Sequence, residues 1–310
     1  MAELRPPTGS APHASSDDSC WLMPGQKSSL GTHYVLEKPG NAPLVVFCHG
    51  IGTYHYCFAE MKKRLSTAGF ATLLYDNLGM GFSDMPLEED ADFWKGTGHV
   101  AQLKALVSGL GLDSQPFFLV GHSMGGAIAT LYANEHPADV RGLCLLSPAG
   151  VMTAPLNLVL LRLCHSVSCF REHILSGLQR DKVKLENIKR FGDFIDPESL
   201  PAMASHHAIL RQHLNNARAI EALFLCARFF PLYSLHDTVE RVCRRQPTLP
   251  ILLLHGESDK TVAPEPTASF WRALMKEGGG KQECHSVPGA HLFFLEGGHP
   301  AHLDEWLRRH

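Results

Sequence analysis

From about Leu44 onward, short runs of consecutive apolar residues alternate with stretches whose apolar positions recur every three or four residues. Leu44–Cys48 reads as a buried strand, and Phe58–Ala68 as a helix with a basic face at Lys62, Lys63 and Arg64. Phe70–Tyr75 is a second strand and Val100–Leu110 a second helix. Phe117–Val120 is a third strand, Met124–Glu135 a helix stopped by Pro137, and Val140–Leu146 a fourth strand. Strands apolar along their whole length must be covered on both faces. The pattern therefore predicts an α/β fold, a mostly parallel sheet between helical layers.

The rhythm stops at Val151. Through about Pro247 the chain shows helical patterns and no convincing strand. It resumes with Ile251–Leu254, a helix over Thr267–Lys276, a glycine turn at 278–280, a strand near Gln282–Val287 and a helix over Ala301–Arg309. The simplest account is one α/β core, residues 21–150 and 247–310, interrupted by a helical insertion at 151–246. Residues 1–20 are rich in Pro, Ser, Ala and Asp, lack an apolar signal core, and read as a disordered leader.

Composition narrows the function classes. A net charge of −3 with no block of five like charges leaves no electrostatic footprint for nucleic acid or for an anionic membrane surface. Nine cysteines, an odd number without a CxxC pair, suit free thiols in a reducing compartment, which makes the cytoplasm the default location. The nearest candidate for a membrane span, Leu143–Leu161, is broken by Pro148, Gly150 and Pro155.

The chemistry is concentrated at strand ends. Gly121-His122-Ser123-Met124-Gly125 lies where an apolar strand turns directly into a helix. Glycines there remove side chains that would collide across the turn, and the strained backbone lifts the Ser123 hydroxyl above the sheet edge. The helix start supplies N–H groups and a positive dipole end for a developing oxyanion. A dinucleotide loop would instead follow the first strand and precede a ribose-binding acid. A serine nucleophile needs a base, and the base needs an acid to hold its tautomer. Asp259 lies in the loop after the Ile251–Leu254 strand, with Glu257 as second candidate, and His291 lies just past the Gln282–Val287 strand. The other histidines in that part of the chain, His285, His299, His302 and His310, fall inside a strand or by the last helix. After the first strand, His49-Gly50-Ile51-Gly52 brings backbone close to the reacting carbonyl, so the N–H groups of Ile51 and Met124 are the expected oxyanion hole.

In chain order, His49-Gly50-Ile51-Gly52, Tyr75–Ser83, Gly121–Gly126, His255–Asp259 and Gly289-Ala290-His291 make the chain similar to the α/β-hydrolase superfamily from about Thr32 onward. They most resemble the serine esterase and lipase branches, including monoacylglycerol lipases, carboxylesterases and carbon–carbon bond hydrolases. Asn77 stands where many relatives carry a basic residue, and Ala290 where glycine often precedes the histidine. The resemblance implies that the insertion is a cap over the site. Its apolar clusters at 156–161, 174–175, 222–225 and 229–233 favour an ester or lipid with an apolar acyl group, and the cap is the part suited to transient membrane contact. The expected reaction is ester cleavage through Ser123, His291 and Asp259, with no cofactor. A carbon–carbon bond hydrolase, an acyltransferase and a ligand-binding receptor on the same fold are the alternatives. His206, His207 and His213 lack a further ligand at suitable spacing, so no metal site is expected there.

Overall fold

The computed structural model describes residues 25–38, 40–86, 92–152, 217–275, 282–295 and 300–310. The leader, most of the insertion with His206, His207 and His213, its clusters at 156–161 and 174–175, and the glycine turn at 278–280 lie outside the described residues.

Eight strands form one sheet: β1 (Gln26–Lys27), β2 (His33–Glu37), β3 (Leu44–Cys48), β4 (Ala71–Tyr75), β5 (Phe117–His122), β6 (Val140–Leu146), β7 (Ile251–Gly256) and β8 (Gln282–Val287). Their spatial order is β1-β2-β4-β3-β5-β6-β7-β8. β1 and β2, and β2 and β4, pair antiparallel, whereas every other neighbouring pair is parallel. Apolar periodicity assigned no strand before Leu44. The structure adds β1, a two-residue edge strand, and β2, paired between β1 and β4; their mixed residues carry little periodic signal.

Seven helices accompany the sheet among the described residues: α1 (Ala59–Thr67), α2 (Gly96–Gly109), α3 (Met124–Glu135), α4 (Ala217–Phe229), α5 (His236–Arg245), α6 (Pro264–Met275) and α7 (Pro300–Arg309). Alternate residues of each central strand enter opposite cores, as the two-residue period of a strand requires. Val46, Leu73, Leu119, Leu145 and Leu253 pack with residues of α2 to α6. Val45, Phe47, Leu74, Val120 and Leu254 face α1 and α7, where Trp306 is fully buried.

The insertion lies between β6 and β7. Of its predicted apolar clusters, Ala222, Leu225 and Phe230 are buried in the same core as Trp94 and Met80. α5 buries Val239, Val242 and Cys243 in that core as well, so the described end of the insertion packs into the helical layer. β3 connects to β4 on one side and neighbours β5 on the other. Strand order therefore reverses at the carboxyl ends of β3 and β5, the place where an open parallel sheet offers a crevice.

Candidate active site

Ser123 stands between β5 and α3 with φ +53° and ψ −118°. Such a backbone costs a non-glycine residue about 1–3 kcal/mol unless its surroundings hold it. Here they do. Ser123 N–H donates to Leu146 O at 3.0 Å, and Ser123 O accepts from the N–H groups of Gly126 and Ala149, both at 3.0 Å. The flanking glycines are required by contact. A Cβ on Gly121 would lie 2.7 Å from Cα of Gly126, and one on Gly125 would lie 2.8 Å from the carbonyl oxygen of His49. The turn can thus pack directly on the end of β3 only without those side chains.

The end of β3 crosses beside this turn. A Cβ on Gly50 would fall 3.2 Å from Ser123 Cβ. Gly50 O accepts from His49 Nδ1 at 2.8 Å and from Thr53 Oγ1 at 2.9 Å. Across a trans peptide the next N–H points opposite to the carbonyl, so these bonds aim Ile51 N–H away from the His49–Thr53 cluster. Met124 opens α3, where the first N–H groups have no intrahelical partner.

Asp259 and His291 meet. His291 Nδ1 donates to Asp259 Oδ2 at 2.8 Å, which leaves the lone pair on Nε2, the nitrogen a general base uses. Asp259 Oδ1 accepts from the N–H groups of Thr261 at 2.8 Å and Val262 at 2.9 Å. Burial pushes the Asp259 carboxyl upward, but hydrogen bonds from His255, His291 and Val262 outweigh it and hold the group well below the ordinary carboxylate range. Glu257, the other candidate acid, is exposed. His285 pairs with Glu283 on β8 and stacks on His302.

His122 links the serine turn to His291. Its Nε2 donates to His291 O at 3.0 Å, and the two imidazole rings lie 4.6 Å apart. Burial, with the His291 charge, holds the His122 pKa well below its ordinary value, so the ring is a neutral spacer. Ser123, His291 and Asp259 are all buried; the Asp259 side chain is fully enclosed, whereas the His291 ring keeps a small exposed edge.

Residues 40–296 match the family model described as "Serine aminopeptidase, S33". The chain belongs to that family, within the α/β-hydrolases. The chain is 36% identical over 120 residues to monoacylglycerol lipase abhd6-B of Xenopus laevis, covering 37% of the chain and 33% of the relative. The matched stretch thus spans about a third of the length of that relative. It is 26% identical over 240 residues to Lipase 1 of Psychrobacter immobilis, covering 76% of the chain and 68% of the relative. Among solved structures, a putative lipase from Acinetobacter baumannii superposes with TM-score 0.69 at 16% identity, covering 97% of each chain, which speaks to the fold.

Sequence reasoning had no role for three further groups of the hydrolase. His122 and His255 sit beside the candidate residues in the chain, but which way their rings turn is a tertiary fact. The third group surrounds Asp76, fully buried after β4. Its Oδ1 accepts from His55 N and Nδ1, each at 2.8 Å, and its Oδ2 from His33 Nδ1 and Phe82 N, each at 3.0 Å. Two imidazoles and a carboxylate are donor types that suit a cation. Four N–H donors already fill the carboxylate's lone pairs, however, so the cluster works as a clamp joining β2, the β3 loop and the β4 loop. Asn77, in the position often basic in relatives, is buried and donates its backbone N–H to His49 Nε2 at 2.9 Å.

Proposed function

We propose that the chain is a serine hydrolase that cleaves carboxylic esters with an apolar acyl group. The observation that carries this reading is the 2.8 Å His291–Asp259 bond formed beside the strained Ser123 turn. His291 Nε2 takes the proton from Ser123 Oγ as that oxygen attacks the ester carbonyl. The carbonyl oxygen becomes an oxyanion held by the N–H groups of Ile51 and Met124. Asp259 holds the Nδ1–H tautomer and stabilises the imidazolium. Collapse returns the proton to the departing alcohol and leaves an acyl-serine. Water, deprotonated by the same imidazole, then releases the acid.

The names of the lipase relatives support an ester over other acyl derivatives. An apolar acyl group is supported by the apolar clusters that the sequence places at 156–161, 222–225 and 229–233. Residues 151–246 would cap the site and provide any transient membrane contact. The buried thiols of Cys48, Cys57, Cys144 and Cys226, none of them in a disulfide among the described residues, support a reducing, cytoplasmic setting. Among the described residues no helix is long and apolar enough to cross a membrane.

Turnover of p-nitrophenyl esters of increasing chain length tests this reading, together with fluorophosphonate labelling. Ser123→Ala should abolish turnover and labelling while preserving the melting temperature, and longer acyl chains should be preferred. Retained turnover in that variant defeats the assignment; a preference for acetyl esters defeats the apolar acyl site. The family description favours one second reading, cleavage of an aminoacyl amide by the same residues. Faster release from an aminoacyl p-nitroanilide than from any ester would establish it.

A further inference from the structure

One buried group on the Asp259 carboxylate has no part in the mechanism above. His255, near the end of β7, is fully enclosed, and its Nε2 stands 2.9 Å from Val262 O and 3.3 Å from Asp259 Oδ2. Both neighbours are acceptors, so Nε2 carries the hydrogen and the buried Nδ1 keeps the lone pair. Oδ2 is also the oxygen that receives His291 Nδ1–H at 2.8 Å. Oδ2 thus accepts the His291 N–H and has the His255 N–H, which donates to Val262 O, beside it, while the backbone of Thr261 and Val262 occupies the other oxygen.

We infer that His255 is a positioning residue that sets the basicity of His291 by sharing the oxygen on which His291 depends. The inference rests on the Ser123–His291–Asp259 reading. The negative charge of Asp259 favours the imidazolium form of His291. An N–H dipole aimed near the same oxygen offsets part of that charge, so less of it reaches His291. Removing the dipole leaves more charge facing His291, and the base then stays protonated to a higher pH. The contact also limits rotation of the carboxylate, which keeps Oδ2 turned toward His291.

The other titratable groups near His291 do not share this oxygen. His122, from β5, meets its ring face and carbonyl and stays neutral through burial. His49, at the end of β3, acts on His122. Glu257 and Lys260, in the Asp259 loop, are exposed.

The test is the pH dependence of kcat/KM for p-nitrophenyl butyrate with the unmutated chain, His255→Leu and His255→Gln, with Ser123→Ala as control. Gln retains an N–H near the Nε2 position; Leu does not. The acid limb of His255→Leu should move up by about half a pH unit, giving about threefold lower kcat/KM on the acid side and little change on the plateau. His255→Gln should restore the limb. A Leu limb that coincides with the unmutated one, or a Gln limb displaced as far as Leu, overturns the inference. If the Leu variant does not fold, nitrogen-15 imidazole spectra of the unmutated chain decide, with His255→Gln identifying the resonance. The expected result is an Nε2–H tautomer on the activity plateau. An Nδ1–H tautomer there overturns the inference. Turnover surviving in Ser123→Ala would instead defeat the underlying mechanism.

Discussion

Asp259→Asn separates a catalytic acid from a buried structural carboxylate. Oδ1 accepts two backbone N–H groups, from Thr261 and Val262, so the amide oxygen of an asparagine settles there. Its NH2 then replaces Oδ2 and faces His291 Nδ1, which stands 2.8 Å away. Two donors cannot share that line. His291 must move its hydrogen to Nε2 and present a lone pair to the amide, and the nitrogen meant to accept the Ser123 proton is then occupied. Loss of the working tautomer lowers kcat by about 10⁴-fold, equivalent to about 5.4 kcal/mol of transition-state stabilisation. The weakened bonds to buried neighbours cost about 1–3 kcal/mol of folding stability. Steady-state turnover of a p-nitrophenyl ester, with urea unfolding in parallel, measures both. A folded Asp259→Asn protein within tenfold of the unmutated kcat would refute the reasoning, since Asp259 would then hold only its own loop.

Two further perturbations probe the packing around the site. His99 is enclosed by the rings of Phe93 and Phe230, and burial pushes its pKa down to about 3. The folded state therefore binds fewer protons than the unfolded chain below the ordinary histidine pKa of about 6.5, so this contribution is complete above that value and is lost as pH falls toward 3. It should remove about 2 kcal/mol between pH 6.5 and 5, read as a lower urea midpoint. His99→Leu should flatten that part of the profile, and an unchanged slope would show that His99 does not carry it. Gly125→Ala drives a methyl group into the carbonyls of Cys48 and His49, which cannot withdraw without moving β3. It should cost about 1–3 kcal/mol and most of the fluorophosphonate labelling, whereas a variant with normal melting and labelling would mean the first turn of α3 does not sit against β3.

The central strands were legible in the sequence because burial on both faces demands unbroken apolar runs, and Val140–Leu146 stands at its anticipated bounds. β1, at the edge, and β2, only partly buried, carry no such demand and were invisible. Ser123 was legible as a candidate because a turn this tight needs glycine on both sides, a constraint written into five consecutive residues. Asp259 and His291 were legible only as loop residues after strands. Chain order alone placed Asp259 and Glu257 in one loop, and the structure separates them by burying one against His291 and exposing the other.

What the sequence determined by itself is local: which segments bury both faces, where a helix must start, and which residue types stand at strand ends. Tertiary structure decided everything that depends on direction across the sheet. It turned Gly50 O toward His49, aimed His291 at one oxygen of Asp259 with His255 beside it, and brought His33 and His55 onto Asp76. Periodicity records how often a side chain meets the core. The identity of the atom it meets is set by how separate strands register, and no single segment contains that information.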